Sequence, residues 1–289
     1  NPYEIEDGEL IASEDNLLLI DSNGTLKLPE SVTSIGEGAF ANTASDGVQL
    51  KKVIIPSTVR EIKANAFNGN STIEEVVIET KNGKGVTTIG SHAFENCSNL
   101  NKIILPDTVI SLGECVFRSC KSLTEAKLSN KLKQVPYETF RACIKLEEIE
   151  IPEGVESMGG GAFSGCNKLK SIKLPSTLKT IEGSSLSGCS NLQIIDIDTK
   201  GSFVFENGIL MNKEKTEIKF IGKTAINGDT FIVPNGIKEL TAVNMLAMYG
   251  EIKKVIIPES VTNFNPNFFS PSIEYIEIDS NNPKFIVSN

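Results

Sequence analysis

Leu100-Asn101-Lys102-Ile103-Ile104-Leu105-Pro106 opens the stretch that decides the fold, and Val109, Leu112-Gly113, Val116-Phe117 and Cys120 follow before Leu123 starts the pattern again. Leu100, Ile103 and Leu105 fall near the alternation of a short strand with one buried face. Pro106 lacks a backbone N–H and therefore ends that strand. Leu112, Phe117 and Cys120 must return to the same interior. The predicted return path is a tight arc with at most one helical or 3₁₀ turn at the Ala-Phe step.

Outward from this unit, Ala-Phe or its equivalent recurs at Phe40, Phe67, Phe94, Phe117, Phe140, Phe163 and Leu186, at steps of 27, 27, 23, 23, 23 and 23 residues. One unit cannot bury its own apolar wedge, so units must stack, with a parallel sheet along one face and a shared core of Leu, Ile, Phe and Cys. These periods lie in the range of leucine-rich repeats. The predicted fold is an α/β repeat: a curved leucine-rich-repeat solenoid with a parallel sheet on the inner face and short helical, 3₁₀ or irregular turns outside. Residues 1–25 read as an N-terminal cap segment, with Leu17–Ile20 and Leu26–Leu28 over the first repeat. Residues 26–289 read as one solenoid, in which 199–230 form a hairpin insertion hanging from the rod.

The repeating Leu-x-x-Ile-x-Leu-Pro, Val, Ile-Gly, Ala-Phe, Cys and Leu positions resemble the BspA-like, or treponemal-type, leucine-rich repeats, strongly over residues 26–198 and less so over 231–279. Ser129 replaces the strand-end Pro, Val135-Pro136 replaces Ile-Gly, and Ser185-Leu186 replaces Ala-Phe. The resemblance implies bacterial and some protist surface proteins associated with adhesion to host matrix proteins, cells or other microbes. It names no ligand. Extracellular or cell-surface location, with an export signal already removed, is the corresponding expectation. Residues 278–289 echo 197–207, so the chain is expected to be a fragment of a longer repeat protein.

Composition narrows the function. A net charge of −9 over 289 residues repels phosphate backbones and anionic lipid, which excludes nucleic acid as a first partner. No apolar run reaches the ~18 residues that span a bilayer, so membrane insertion is not expected. Cys97, Cys120, Cys143, Cys166 and Cys189 keep the 23-residue period. A buried thiol column is the first reading, with disulfides between adjacent repeats and a metal site behind it. Cys115 stands off that column. His92, the single His, is expected to be solvent exposed in a turn, without the pocket that Ser-His-Asp or Cys-His chemistry needs. Asp196-Ile197-Asp198 begins like a calcium loop, but Lys200 stands where an oxygen ligand is needed. No enzyme activity and no cofactor are expected.

Aligned by period, the outward strand positions form columns. One runs Ile54, Val77, Ile104, Lys127, Glu150, Lys173, Asp196, and its neighbour runs Lys52, Glu75, Lys102, Glu125, Glu148, Ser171, Ile194. Lys52-Glu75-Lys102-Glu125 and Lys127-Glu150-Lys173-Asp196 read as ladders of alternating sign that mainly hold register. Ile54, Val77 and Ile104, flanked by Lys52, Glu75 and Lys102, are the candidate partner-binding residues, for a protein or glycan on a host or microbial surface. Two bland readings stand beside this: Ile and Val suit strands, and another segment could cover them. A structural spacer, holding another domain away from the cell surface, is the alternative function.

Overall fold

The computed structural model describes residues 5–43, 47–242 and 245–285. Each repeat contributes one strand to a parallel sheet through Thr25–Lys27, Lys52–Ile55, Glu75–Ile78, Lys102–Ile104 and Glu125–Lys127, and then to a second group of Glu148–Glu150, Ser171–Leu174 and Ile194–Ile197. Inward residues such as Val53, Ile55, Ile103 and Ile149 are buried, while outward ones face solvent. Alternation alone produces this two-faced strand.

The return path differs from the predicted arc. Two-residue strands at Ser34–Ile35, Glu61–Ile62, Thr88–Ile89 and Ser111–Leu112 stack into a second parallel sheet. After each of them the next N–H donates to the preceding repeat, as from Gly90 to the Ile62 carbonyl at 2.7 Å and from Gly113 to Ile89 at 2.7 Å. Pro136 occupies this place one repeat later and has no N–H to donate to Leu112. The second sheet stops there and restarts at Gln134–Val135 with Ser157–Met158 and Thr180–Ile181.

The Ala-Phe step is a turn in repeats one to six, neither α nor 3₁₀. Residues on both sides of it are left-handed, for example His92 (φ 61°) and Asn96 (φ 60°), or Cys115 (φ 56°) and Ser119 (φ 60°). That reversal aims the Phe N–H along the rod, so Phe94 donates to Val116 at 3.0 Å and Phe140 to Ala162 at 2.8 Å. Three hydrogen-bonded faces therefore tie the first repeats together. The second sheet is interrupted between the Lys102–Ile104 and Glu125–Lys127 repeats, and the main sheet between the Glu125–Lys127 and Glu148–Glu150 repeats. The turn face carries bonds across both junctions, as from Phe117 to Thr139 at 2.9 Å across the first.

Inside, six phenylalanine rings stack from Phe40 to Phe163, with centroids 5.2–5.8 Å apart. All six cysteines are buried free thiols. Each on-period Sγ donates to the Phe carbonyl one repeat back, from Cys97 to Phe67 at 3.4 Å through Cys189 to Phe163 at 3.2 Å. Asn70 fills the same slot, its Nδ2 donating to the Phe40 and Phe67 carbonyls.

At the N-terminus, Ile5–Glu6 pairs antiparallel with Glu9–Leu10, which starts the second sheet by pairing with Ser34–Ile35. Leu17–Leu19 lie in a 3₁₀ turn over Glu14–Leu19, whereas Leu26 lies in the first strand of the main sheet. Residues 1–4 of the predicted cap, and 286–289 of the C-terminal echo, lie outside the described residues.

The insertion is a three-stranded antiparallel sheet, Phe203–Glu206, Ile209–Asn212 and Ile218–Ile221, and the expected hairpin turn at 212–216 is present. It does not hang from the rod. Phe203, Leu210 and Phe220 belong to the core of the preceding repeats, and Ile209, Met211, Ile218 and Ile221 to a second core that continues to Phe268. Apolar residues on both faces explain the burial. Thr230–Ile232, Lys254–Ile257 and Tyr275–Ile278 then resume the parallel sheet.

Candidate binding face

The main sheet presents its outward residues in strict register. Ile54 pairs with Val77 across adjacent strands, and Glu75 with Lys102, which carries Ile104 two residues on. On the outer strands, Lys27 pairs with Ile54 and Lys127 with Ile104. The five hydrogen-bonded strands therefore carry one row, Lys27, Ile54, Val77, Ile104, Lys127. Ile104 is 42% exposed, and Ile54 and Val77 are half-buried.

The neighbouring column is largely neutralised by its own ion pairs. Lys52 meets Glu75 at 2.8 Å and Lys102 meets Glu125 at 2.8 Å, while Glu75 and Lys102 are in register without an ion pair. In the other expected ladder only Lys173–Glu150 closes, at 2.7 Å, and Glu150 as a hydrogen-bond partner raises the Lys173 pKa. The main sheet's hydrogen-bonded ladder is interrupted between the Glu125–Lys127 and Glu148–Glu150 strands, and Lys127 forms no ion pair there among the described residues. Lys27, at the far end of the row, likewise forms none among the described residues.

A second set of charges lies on the turn face. Glu138, 4% exposed, is held by Arg118 at 2.9 Å and by Arg141. Arg118 also reaches Glu95 at 3.5 Å, and Glu95 accepts from His92 Nδ1 at 2.6 Å. His92 lies in a turn, as expected, with its side chain 38% exposed and its Nδ1 held by Glu95. Cys115 Sγ lies 4.0 Å from Glu138, and burial pushes its thiol pKa up, which suppresses thiolate chemistry. Every member of this network is matched by a partner within the chain, so it ties repeats together. Asp198 accepts from the Lys200 backbone N–H at 2.8 Å, which makes its loop a capped turn. Groups of three or more metal-type ligands are absent among the described residues.

Alignment of the outward columns beyond the insertion reveals an apolar set that the sequence reading passed over. Ile232, 53% exposed, pairs with Ile256, and Tyr275, 65% exposed, pairs with Lys254. The signal was available in Phe231-Ile232-Val233-Pro234 and Val255-Ile256-Ile257-Pro258, which keep the strand pattern.

Stacked strands ended by proline, buried Leu and Ile columns and a regular outward sheet face define a leucine-rich-repeat solenoid that displays a surface. The chain belongs to the BspA-type leucine-rich repeat family, whose repeat region matches in six copies over residues 20–143, 87–214 and 133–246. No curated protein sequence matches the chain. Among solved structures, a leucine-rich cell surface protein of Faecalibacterium prausnitzii is similar at 24% identity, over 85% of this chain and 64% of that one, with a TM-score of 0.57. The pneumococcal vaccine antigen PcpA is similar at 17% identity over 96% of this chain and 79% of that one, with a TM-score of 0.59. A leucine-rich repeat protein of Eubacterium ventriosum is similar at 20% identity over 76% of this chain and 60% of that one, with a TM-score of 0.54. These likenesses establish a shared fold. This chain spans 64% of the length of the Faecalibacterium protein. No helix among the described residues is long and apolar enough to cross a membrane.

Proposed function

We propose that this chain is a non-enzymatic binding module of a cell-surface protein, and that the outward strand face around Ile54, Val77 and Ile104 contacts a protein partner on a host or microbial surface. One observation carries the reading: three aliphatic side chains stand in register on adjacent strands, Ile104 exposed and Ile54 and Val77 half-buried, beside charges that are mostly paired with one another. Paired charges are a poor site for a charged ligand, whereas desolvating the aliphatic row is favourable at about 25 cal/mol per Å² buried. The row holds no aromatic ring of the kind that stacks on a sugar, so a protein suits it better than a glycan. Lys52, Glu75 and Lys102 would form the polar rim.

The spacer reading draws on the continuous phenylalanine stack, which suits a stiff rod. Arrays of matrix proteins and glycans, probed with the wild-type chain and with Val77→Glu, separate the two. Val77 points outward, so the substitution is expected to leave the unfolding midpoint within about 1 kcal/mol of wild type. Loss of a wild-type array signal in Val77→Glu supports the binding face, and an unchanged signal removes this patch from consideration. Silence of the wild-type chain across both arrays supports the spacer.

A further inference from the structure

Resting on the binding-face reading, we infer that the partner is an extended peptide segment with acidic residues six positions apart and apolar residues at the two same-side positions between them. The row itself dictates this chemistry. Lys27 and Lys127 close its two ends, both exposed and both outside every ion pair among the described residues, while Ile54, Val77 and Ile104 fill the middle. Lys127 acts at longer range on the carboxylate of Asp107, whose pKa it helps to lower, yet it closes no ion pair among the described residues, and the two ends of the apolar row are thus marked by two exposed ammonium groups. They are complementary to two carboxylates.

Spacing sets the register of the ligand. Adjacent strands lie about 4.8 Å apart, so four steps separate the lysine backbones by about 19 Å. A peptide extended along the rod places same-side residues about 6.8 Å apart, and six residues cover about 20 Å. Carboxylates at positions 1 and 7 then reach the two ammonium groups, and side chains 3 and 5 lie over the aliphatic row. The Lys52–Glu75 and Lys102–Glu125 pairs border the peptide on one side without competing for its charges. The class of ligand is thus acidic-x-apolar-x-apolar-x-acidic, read by side chains across five strands and not by addition of a strand to an edge.

Titration by fluorescence anisotropy of a labelled heptapeptide, Asp-Ser-Ile-Ser-Leu-Ser-Asp with blocked termini, tests the inference against a Lys-ended counterpart. A counterpart with Ser in place of Ile and Leu completes the set. At low salt the wild-type chain is expected to bind the acidic peptide about tenfold tighter than the Lys-ended one, with a preference that shrinks as salt rises. Lys27→Glu/Lys127→Glu should invert the preference, and Val77→Glu should weaken both. Circular dichroism confirms that each variant is folded. Equal binding of the acidic and Lys-ended peptides, abolished by Val77→Glu, would overturn the acidic-peptide inference and leave the aliphatic face standing. Absence of wild-type binding to all three peptides at millimolar concentration also overturns it, while the array comparison with Val77→Glu decides the binding face separately.

Discussion

At the scale of single residues, the thiol column shows how a repeat chooses a side chain. Cys143 Sγ donates to the Phe117 carbonyl at 3.2 Å and Cys166 Sγ to Phe140 at 3.1 Å, so a small apolar group with one weak donor satisfies a buried carbonyl. Burial disfavours the thiolate and pushes Cys166 up to about 12 from an ordinary 9.0, and the other members of the column move in the same direction. The folded pKa lies above the unfolded one, so the stabilisation is fully present below about pH 9. Above that, the unfolded chain releases protons that the folded chain keeps, and stability falls until the folded pKa is reached. Each thiol should remove on the order of 1 kcal/mol by pH 10. Urea midpoints at pH 8 and pH 10 measure this. Cys143→Ala/Cys166→Ala, though less stable at pH 8, should show a shallower alkaline decline. A decline as steep as wild type would show that other groups cause it. The native chain should also resist thiol alkylation until it unfolds.

At the scale of elements, the phenylalanine stack sets how much one repeat depends on its neighbours. Phe117 has a ring on either side, at 5.8 and 5.4 Å, whereas Phe40 has one, at 5.3 Å. Phe117→Ala should cost about 3–5 kcal/mol. Phe40→Ala should cost less by about one ring pair, ~0.5–1.5 kcal/mol, and urea denaturation of the two variants checks the order. The stack was legible in sequence because one residue type held one slot per repeat, as Pro and Cys did. The second sheet was not. A strand as short as Ser111–Leu112 has one inward residue, too few to show alternation, and the glycine after it reports backbone crowding. A Cβ on Gly113 would fall 2.2 Å from the Ser91 backbone nitrogen. The break at Pro136 becomes intelligible once that sheet is known to exist. On the binding face, Ile54, Val77 and Ile104 emerged from alignment of the strands. Their flanking Lys27 and the distal Ile232–Ile256 pair lay outside the columns aligned, which stopped at Lys52 on one side and Asp196 on the other.

At the scale of the whole molecule, the insertion decides whether the chain unfolds as one body or two. Leu210 faces Phe220 toward the first core, and Met211 faces Ile218 toward the second, with a register shift between Leu210 and Met211. The shift reverses the side-chain alternation, so Ile218 and Phe220 point to opposite cores although they are two residues apart. One thin sheet is therefore the wall of both. Tyr249 donates its hydroxyl to the Ile221 carbonyl at 2.8 Å, Lys238 N–H donates to Thr216 at 2.9 Å, and Met248 packs against both cores. In a stacked array, stability is the sum of unit and interface contributions, and cooperativity survives only where interfaces are strong. A shared wall couples its two sides more tightly than a contact between finished surfaces does. Leu210→Ala and Met211→Ala should each cost about 2–5 kcal/mol and lower a single urea midpoint, although their side chains enter different cores. Hydrogen exchange provides the decisive reading. Amides of Glu148–Glu150 and Lys254–Ile257, on opposite sides of the wall, should lose protection together in either variant. If Leu210→Ala loosens only the first set and Met211→Ala only the second, the insertion is a partition between two independently folding solenoids, and the single-wall account is wrong.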